Sequence, residues 1–153
     1  MQDLFKDFPN LHPLLVHFPI VLLLLALLAQ CMVLFFKDNR IFKWISFFFI
    51  ATGCLSAYIA MQNGTHISGD ADEKAFAIFE THYLFANITL WSSLLISIIR
   101  LAVIKWYPKP WMEIVLLGLF AMTAIAVSIT AHHGAQLVYI YGVGPQGNGV
   151  LSK

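Results

Sequence analysis

The residues of this chain best suited to chemistry are its six histidines: His12, His17, His66, His82, His132 and His133. Imidazole is the commonest biological metal ligand and the side chain that titrates nearest neutral pH. His132 and His133 are adjacent, so about 100° separates them on a helix and only one of the two can face a bundle core. Glu80 stands two residues before His82, where a carboxylate can accept the second N–H of an imidazole and fix its orientation. The alternative for Glu80 is a plain interfacial acid. Cys31 and Cys54 each lie inside an apolar run, which suits neither a disulfide scaffold nor a cysteine zinc site. There is no phosphate loop, nucleophile elbow or HExxH, and no residue is assigned a catalytic role.

The elements that must position these rings belong to a membrane. The chain has 153 residues, 59% of them hydrophobic and only 11% charged, against about 25% charged in an average soluble domain. Its mean hydropathy is +0.78. Thirteen Phe, five Tyr and four Trp exclude a disordered chain. A formal net charge of +1 gives no basic field for nucleic acid. A membrane helix needs about 20 apolar residues, and four segments qualify, at about 14–36, 44–62, 83–104 and 111–133. All their faces are apolar, whereas the helices of a soluble bundle carry a polar face. The expected fold is an all-α membrane protein, a four-helix transmembrane bundle forming a single domain over 1–153, with 134–153 as a tail.

The connections agree with this count. Lys37-Asp38-Asn39-Arg40 makes a tight turn, and Pro108-Lys109-Pro110 breaks the chain between spans three and four. The middle loop carries the turn signals Asn63-Gly64 and Ser68-Gly69-Asp70, and Ala71 to Glu80 is expected as a short interfacial helix. Trp44, Trp106, Trp111, Tyr83 and Tyr107 form an aromatic belt. Leu28-Ala29-Gln30-Cys31 is a poor lipoprotein cleavage box and the n-region is not basic, so span one is expected to stay in the mature chain.

Lysine and arginine set the orientation. Lys37, Arg40, Lys43, Arg100, Lys105 and Lys109 fall on one side, and Lys6, Lys74 and Lys153 on the other. The two short loops are therefore expected to face the cytoplasm, and both termini and the middle loop the outside, the periplasm in a Gram-negative cell. In this frame all six histidines lie at the periplasmic end. His17, His82 and one of His132 and His133 come from three spans at similar depth, which is how bundles build metal and haem sites. The bland reading is hydrogen bonding across the helix ends, and His66 reads as a loop residue.

Imidazole without thiolate suits zinc, copper, nickel or haem iron, and a six-coordinate haem takes two histidines facing each other. The expected cofactor ligands are His17, His82, His132 and His133, with His12 added for a transition metal ion. No CxxCH occurs, so a haem would be non-covalent, of b type. Gly53 and Ala57 form a small-xxx-small pair that permits close helix approach, within one bundle or in a homo-oligomer.

The segment Leu11-His12-Pro13-Leu14-Leu15-Val16-His17-Phe18-Pro19-Ile20 resembles the opening signature of a bacterial family of predicted membrane proteins, domain of unknown function 2231. Asn63-Gly64 after the second span and His82 at the third are similar too. His133-Gly134-Ala135-Gln136-Leu137-Val138-Tyr139 with Tyr141-Gly142-Val143-Gly144 resembles the closing signature, Ala135 standing where many relatives have a second glycine. The resemblance implies a four-span inner-membrane domain. Relatives lie beside or fused to cytochrome c-like modules, which implies redox work.

Three functions are expected to compete. The first is a redox or metal-binding module that passes electrons between membrane quinone and a periplasmic cytochrome or respiratory-complex subunit. The second is a non-enzymatic scaffold or accessory subunit whose histidines form a structural hydrogen-bond network. The third is a small proton-coupled transporter, for which the spans offer no charged residue at mid-membrane.

Overall fold

The computed structural model describes residues 11–36, 40–64, 66–68 and 71–143. It contains α1 (His12–Leu15), α2 (His17–Phe35), α3 (Arg40–Gln62), α4 (Glu73–Lys105) and α5 (Pro110–Tyr139). Helices α1 and α2 meet at Val16, and together they make the first of four long apolar stretches that could each cross a membrane. The protein is all-α and multi-pass. The turn residues 37–39, Gly69 and Asp70, and the tail from Gly144 onward lie outside the described residues.

Two helices are longer than the sequence reading expects. Helix α4 begins at Glu73, so the segment expected as a separate interfacial helix is its first part. The Asp72 side chain accepts the Lys74 N–H at 2.7 Å, which caps the free donors of the first turn. No proline or glycine interrupts the chain between there and Lys105. At 1.5 Å per residue, 33 residues reach about 50 Å, well beyond a hydrocarbon core of about 30 Å. Helix α5 starts on Pro110, whose missing N–H costs nothing at that position, and runs through Gly134 to Tyr139. Residues 134–139 are thus helical rather than loop. A lone glycine in an apolar helical run only weakens it. The chain turns at Gly142, with φ +64, and Val143 N–H then reaches the Leu137 carbonyl at 2.9 Å.

The four long helices pack in the cyclic order α2–α3–α4–α5. Their buried residues repeat every three or four positions: Pro19, Leu23, Ala26, Gln30 and Val33 on α2, and Ser46, Ile50, Gly53, Ala57 and Ala60 on α3. The same spacing runs through Ser93, Ile96, Arg100 and Val103 on α4, and through Glu113, Leu116, Phe120, Thr123 and Val127 on α5. Such a seam packs antiparallel neighbours in bundles. The outward faces carry large exposed apolar side chains, among them Leu28, Phe48, Leu95 and Ile125, as lipid requires.

One core of Leu23, Ala26, Ile50, Ile96, Phe120 and neighbours fills the bundle. A second, smaller cluster of Ile67, Ala75, Leu137 and Val143 joins the middle loop to the extensions of α4 and α5. At Gly53 α3 packs tightly on α2. A Cβ there would lie 2.7 Å from Leu23 Cδ2 and 3.0 Å from its Cγ. Gly53→Ala therefore forces Leu23 to move, and Gly53→Leu pushes the helices apart. We expect Gly53→Leu to destabilise the bundle by about 1–3 kcal/mol or more, read as a lowered thermal midpoint in detergent, while Gly118→Ala, with open space around it, meets no clash and raises the midpoint slightly, by up to about 1 kcal/mol of helix propensity.

Candidate functional site

The antiparallel order brings the start of α1, the end of α3, the early part of α4 and the late part of α5 to one end of the bundle. His12, His82 and His133 meet there, between the main core and the smaller cluster. The His12 and His82 rings are 6.5 Å apart, centroid to centroid, with 76° between their planes. His133 immediately precedes Gly134, against which the His82 ring packs. A Cβ at Gly134 would lie 3.1 Å from His82 Cε1, so the glycine of the closing motif makes room for the imidazole.

Each of these rings is oriented through Nδ1. His12 donates to the Ala60 carbonyl at 2.7 Å and His82 to the Thr130 carbonyl at 2.9 Å. Both bonds cross from one helix to another. His133 donates to Ile129 of its own helix at 2.9 Å. A carbonyl oxygen can only accept, so Nδ1 must carry the proton, and the neutral ring then holds its lone pair on Nε2. This is the tautomer in which metal-binding histidines are commonly held.

The other expected residues sit differently. His17 is exposed, and its Nδ1 donates to the Pro13 carbonyl one turn back at 2.7 Å. His132 is exposed, with its ring 5.5 Å from that of His133. Of the adjacent pair, His133 is therefore the one turned toward the bundle. His66 is exposed. Glu80 is exposed too, and the Nδ1 partner of His82 is the Thr130 carbonyl.

The donor set can be tested against a cofactor. Among the described residues, no three His, Cys, Asp or Glu side chains are grouped so as to hold a metal ion. A closed zinc site needs four ligands and a catalytic one needs three. Two imidazoles are the axial set of a haem iron, whose other four ligands come from the porphyrin. Two rings sharing one metal through facing nitrogens, each bound at about 2.0–2.1 Å, would hold their centroids about 6 Å apart. The His12 and His82 centroids are 6.5 Å apart with the rings T-shaped, a separation of that order.

The opposite end holds a group that the sequence reading missed. Arg100, treated there as a flanking charge, is fully buried. Its Nη1 donates to Glu113 Oε2 at 2.5 Å, and its Nε to Ser46 Oγ at 2.9 Å. Lys43 Nζ lies 3.1 Å from Glu113 Oε1. Gln30 Nε2 donates to the Glu113 carbonyl oxygen at 3.0 Å and to Oε2 at 3.2 Å. All four long helices contribute to this knot. Its available sequence signal was the polar seam Thr89, Ser93, Ser97 and Arg100 on α4, all of them buried.

A family model described as "Predicted membrane protein (DUF2231)" matches residues 9–147, and the chain belongs to that family. No curated protein and no solved structure matches the chain.

Proposed function

We propose that this member of the DUF2231 family is a redox module of the bacterial inner membrane, a single domain of four spans with both termini in the periplasm. In this reading it binds a b-type haem, or failing that a transition metal ion, through His12 and His82. His133 stands beside them, and the exposed His17 and His132 are peripheral. The observation that carries the reading is the His12–His82 approach of 6.5 Å between rings whose Nδ1 atoms are both turned to backbone carbonyls. When bound, the iron would supply one-electron chemistry, between membrane quinone on one side and a periplasmic cytochrome or respiratory-complex subunit on the other. The chain's own contribution is to hold two imidazoles from different helices in one tautomer. The charge distribution supports the orientation, with Arg40, Lys43, Lys105 and Lys109 at the end away from the histidines.

The test is an absorption spectrum and elemental analysis of protein purified in detergent from haem-supplied cells. We expect a Soret band and about one haem per chain, in keeping with a two-histidine axial set. A preparation with neither haem nor stoichiometric metal overturns the reading.

One observation favours a second reading. The His12–Ala60 and His82–Thr130 bonds each tie one helix to another, as a structural network in a scaffold or accessory subunit would. On that reading the same preparation is cofactor-free, and loss of either imidazole lowers stability without removing any spectrum. The proton-coupled transporter finds less support, because the buried charges close on one another at one end of the bundle.

A further inference from the structure

A short turn, Trp106 to Lys109, joins α4 to α5. From Lys105 to Trp111 every residue is exposed, and the segment reads Lys-Trp-Tyr-Pro-Lys-Pro-Trp. Its backbone is tied down. The Trp106 and Tyr107 N–H groups both reach the Ala102 carbonyl, at 2.8 and 3.3 Å, and Lys109 N–H folds back around Pro108 onto the Tyr107 carbonyl at 2.7 Å. Lys105 Nζ stands 6.0 Å from the centre of the Trp106 ring, within reach of its π face.

Helix α3 sets the level of this turn. Its run from Trp44 to Gln62 is uncharged and about 28 Å long at 1.5 Å per residue, close to a hydrocarbon core of about 30 Å. Lys43 therefore marks one edge of the hydrocarbon. Its Nζ lies 3.1 Å from Glu113 Oε1, and Glu113 also pairs with Arg100. Lys109 precedes Glu113 by one turn and Lys105 follows Arg100 at the end of α4, so both lie about 6–8 Å farther out. That is the depth of the headgroup layer, about 5–8 Å on each side, and the turn is too short to carry them past it.

Charge selects the headgroup. Among the described residues, this end carries Arg40, Lys43, Arg100, Lys105 and Lys109 against one carboxylate, that of Glu113. Its oxygens face Lys43 and Arg100, so the turn lysines meet no acid of the chain there. A zwitterionic headgroup balances its phosphate with its own ammonium, whereas an anionic one leaves the charge free. Each lysine near an anionic surface strengthens binding about fivefold. Trp106, Tyr107 and Trp111 beside them suit the membrane interface rather than a partner in water.

We propose that the Lys105–Trp111 turn binds the headgroup phosphate of an anionic phospholipid, with Lys105 and Lys109 supplying the charge. The inference rests on the membrane-crossing helices and is independent of the haem reading and of which side the turn faces.

The experiment is titration of the detergent-purified full chain with dioctanoyl phosphatidylglycerol, alongside dioctanoyl phosphatidylcholine and inorganic phosphate. Tryptophan fluorescence is the readout, since Trp44, Trp106 and Trp111 lie at this end. The variants are the double Lys105→Gln with Lys109→Gln, and Lys74→Gln at the opposite end as control. All three lysines are exposed, and thermal midpoints show that the variants fold. We expect saturable binding of about one phosphatidylglycerol per chain, at least tenfold tighter than phosphatidylcholine. It should weaken about 25-fold in the double variant, weaken with salt, and stay unchanged in Lys74→Gln. Equal binding of the two lipids overturns the proposal and leaves aromatic anchoring alone. Binding unchanged in the double variant overturns the assignment to this turn. Inorganic phosphate competing at the same concentration as the lipid overturns the lipid as ligand and leaves a free-anion site.

Discussion

Replacing Arg100 by Leu is expected to cost about 3–5 kcal/mol, the usual penalty for removing one partner of a buried ion pair. The Arg100 side chain is fully buried and that of Glu113 is 7% exposed, so solvent cannot replace the guanidinium. Lys43, 20% exposed, still neutralises part of the carboxylate, but Ser46 Oγ and Glu113 Oε2 both lose their donor from Arg100. For a chain of this size the thermal midpoint should fall by on the order of 10 °C. The double variant Arg100→Leu with Glu113→Leu is expected to recover most of the loss, because apolar side chains of similar volume often replace a buried pair at little cost. It also removes Arg100 Nη2, which has no hydrogen-bond partner among the described residues. Gln30 keeps its bond to the residue-113 backbone carbonyl in that variant. Thermal or SDS-titrated unfolding of the two single variants and the double measures the coupling directly. If the loss in the double variant is simply the sum of the two single losses, the knot is not a cooperating unit.

The second large effect is expected at His82. His82→Ala removes one of the two imidazoles that meet between the cores and leaves the Thr130 carbonyl without its side-chain donor. On the proposed reading the bound haem or metal falls from about one per chain to background, because one of the two axial histidines is gone. His12→Ala should do the same. His17→Ala should leave the cofactor content unchanged, since that ring is exposed and bonded within its own turn. Cofactor content per folded chain is the measurement, with far-UV circular dichroism as the check on folding. A His17→Ala chain that loses its cofactor while His82→Ala keeps it would reverse the assignment.

His17 illustrates how far position and residue type carry. Its place one turn inside the first span reads as a costly buried polar group with a function. The helix in fact starts anew there. Val16 joins α1 to α2, and the Pro13 carbonyl takes up the His17 Nδ1–H. His12, one turn earlier, stands just before the first expected span, yet it crosses to the Ala60 carbonyl, 48 residues away in the chain. The difference is one of helix phase, and hydropathy carries no phase when every face is apolar.

The same fact divides what the sequence determined from what the tertiary structure decided. Four long apolar runs, broken by Pro108 and Pro110 and by polar turns, already point to four helices that could each cross a membrane, because helices satisfy their own backbone groups in hydrocarbon. Their antiparallel succession gathers His12, His82 and His133 at one end. The inward face of each helix was a different matter. In water the buried face is the apolar one, but in lipid the outward face is apolar as well, and the seam is marked by small and polar residues instead. The meeting of Gln30 with Glu113, 83 residues apart, and of Arg100 with both Glu113 and Ser46, depends on the rotation of all four helices about their axes. Only packing fixes that rotation, and Gly53 against Leu23 and Gly134 against His82 leave no room for a Cβ.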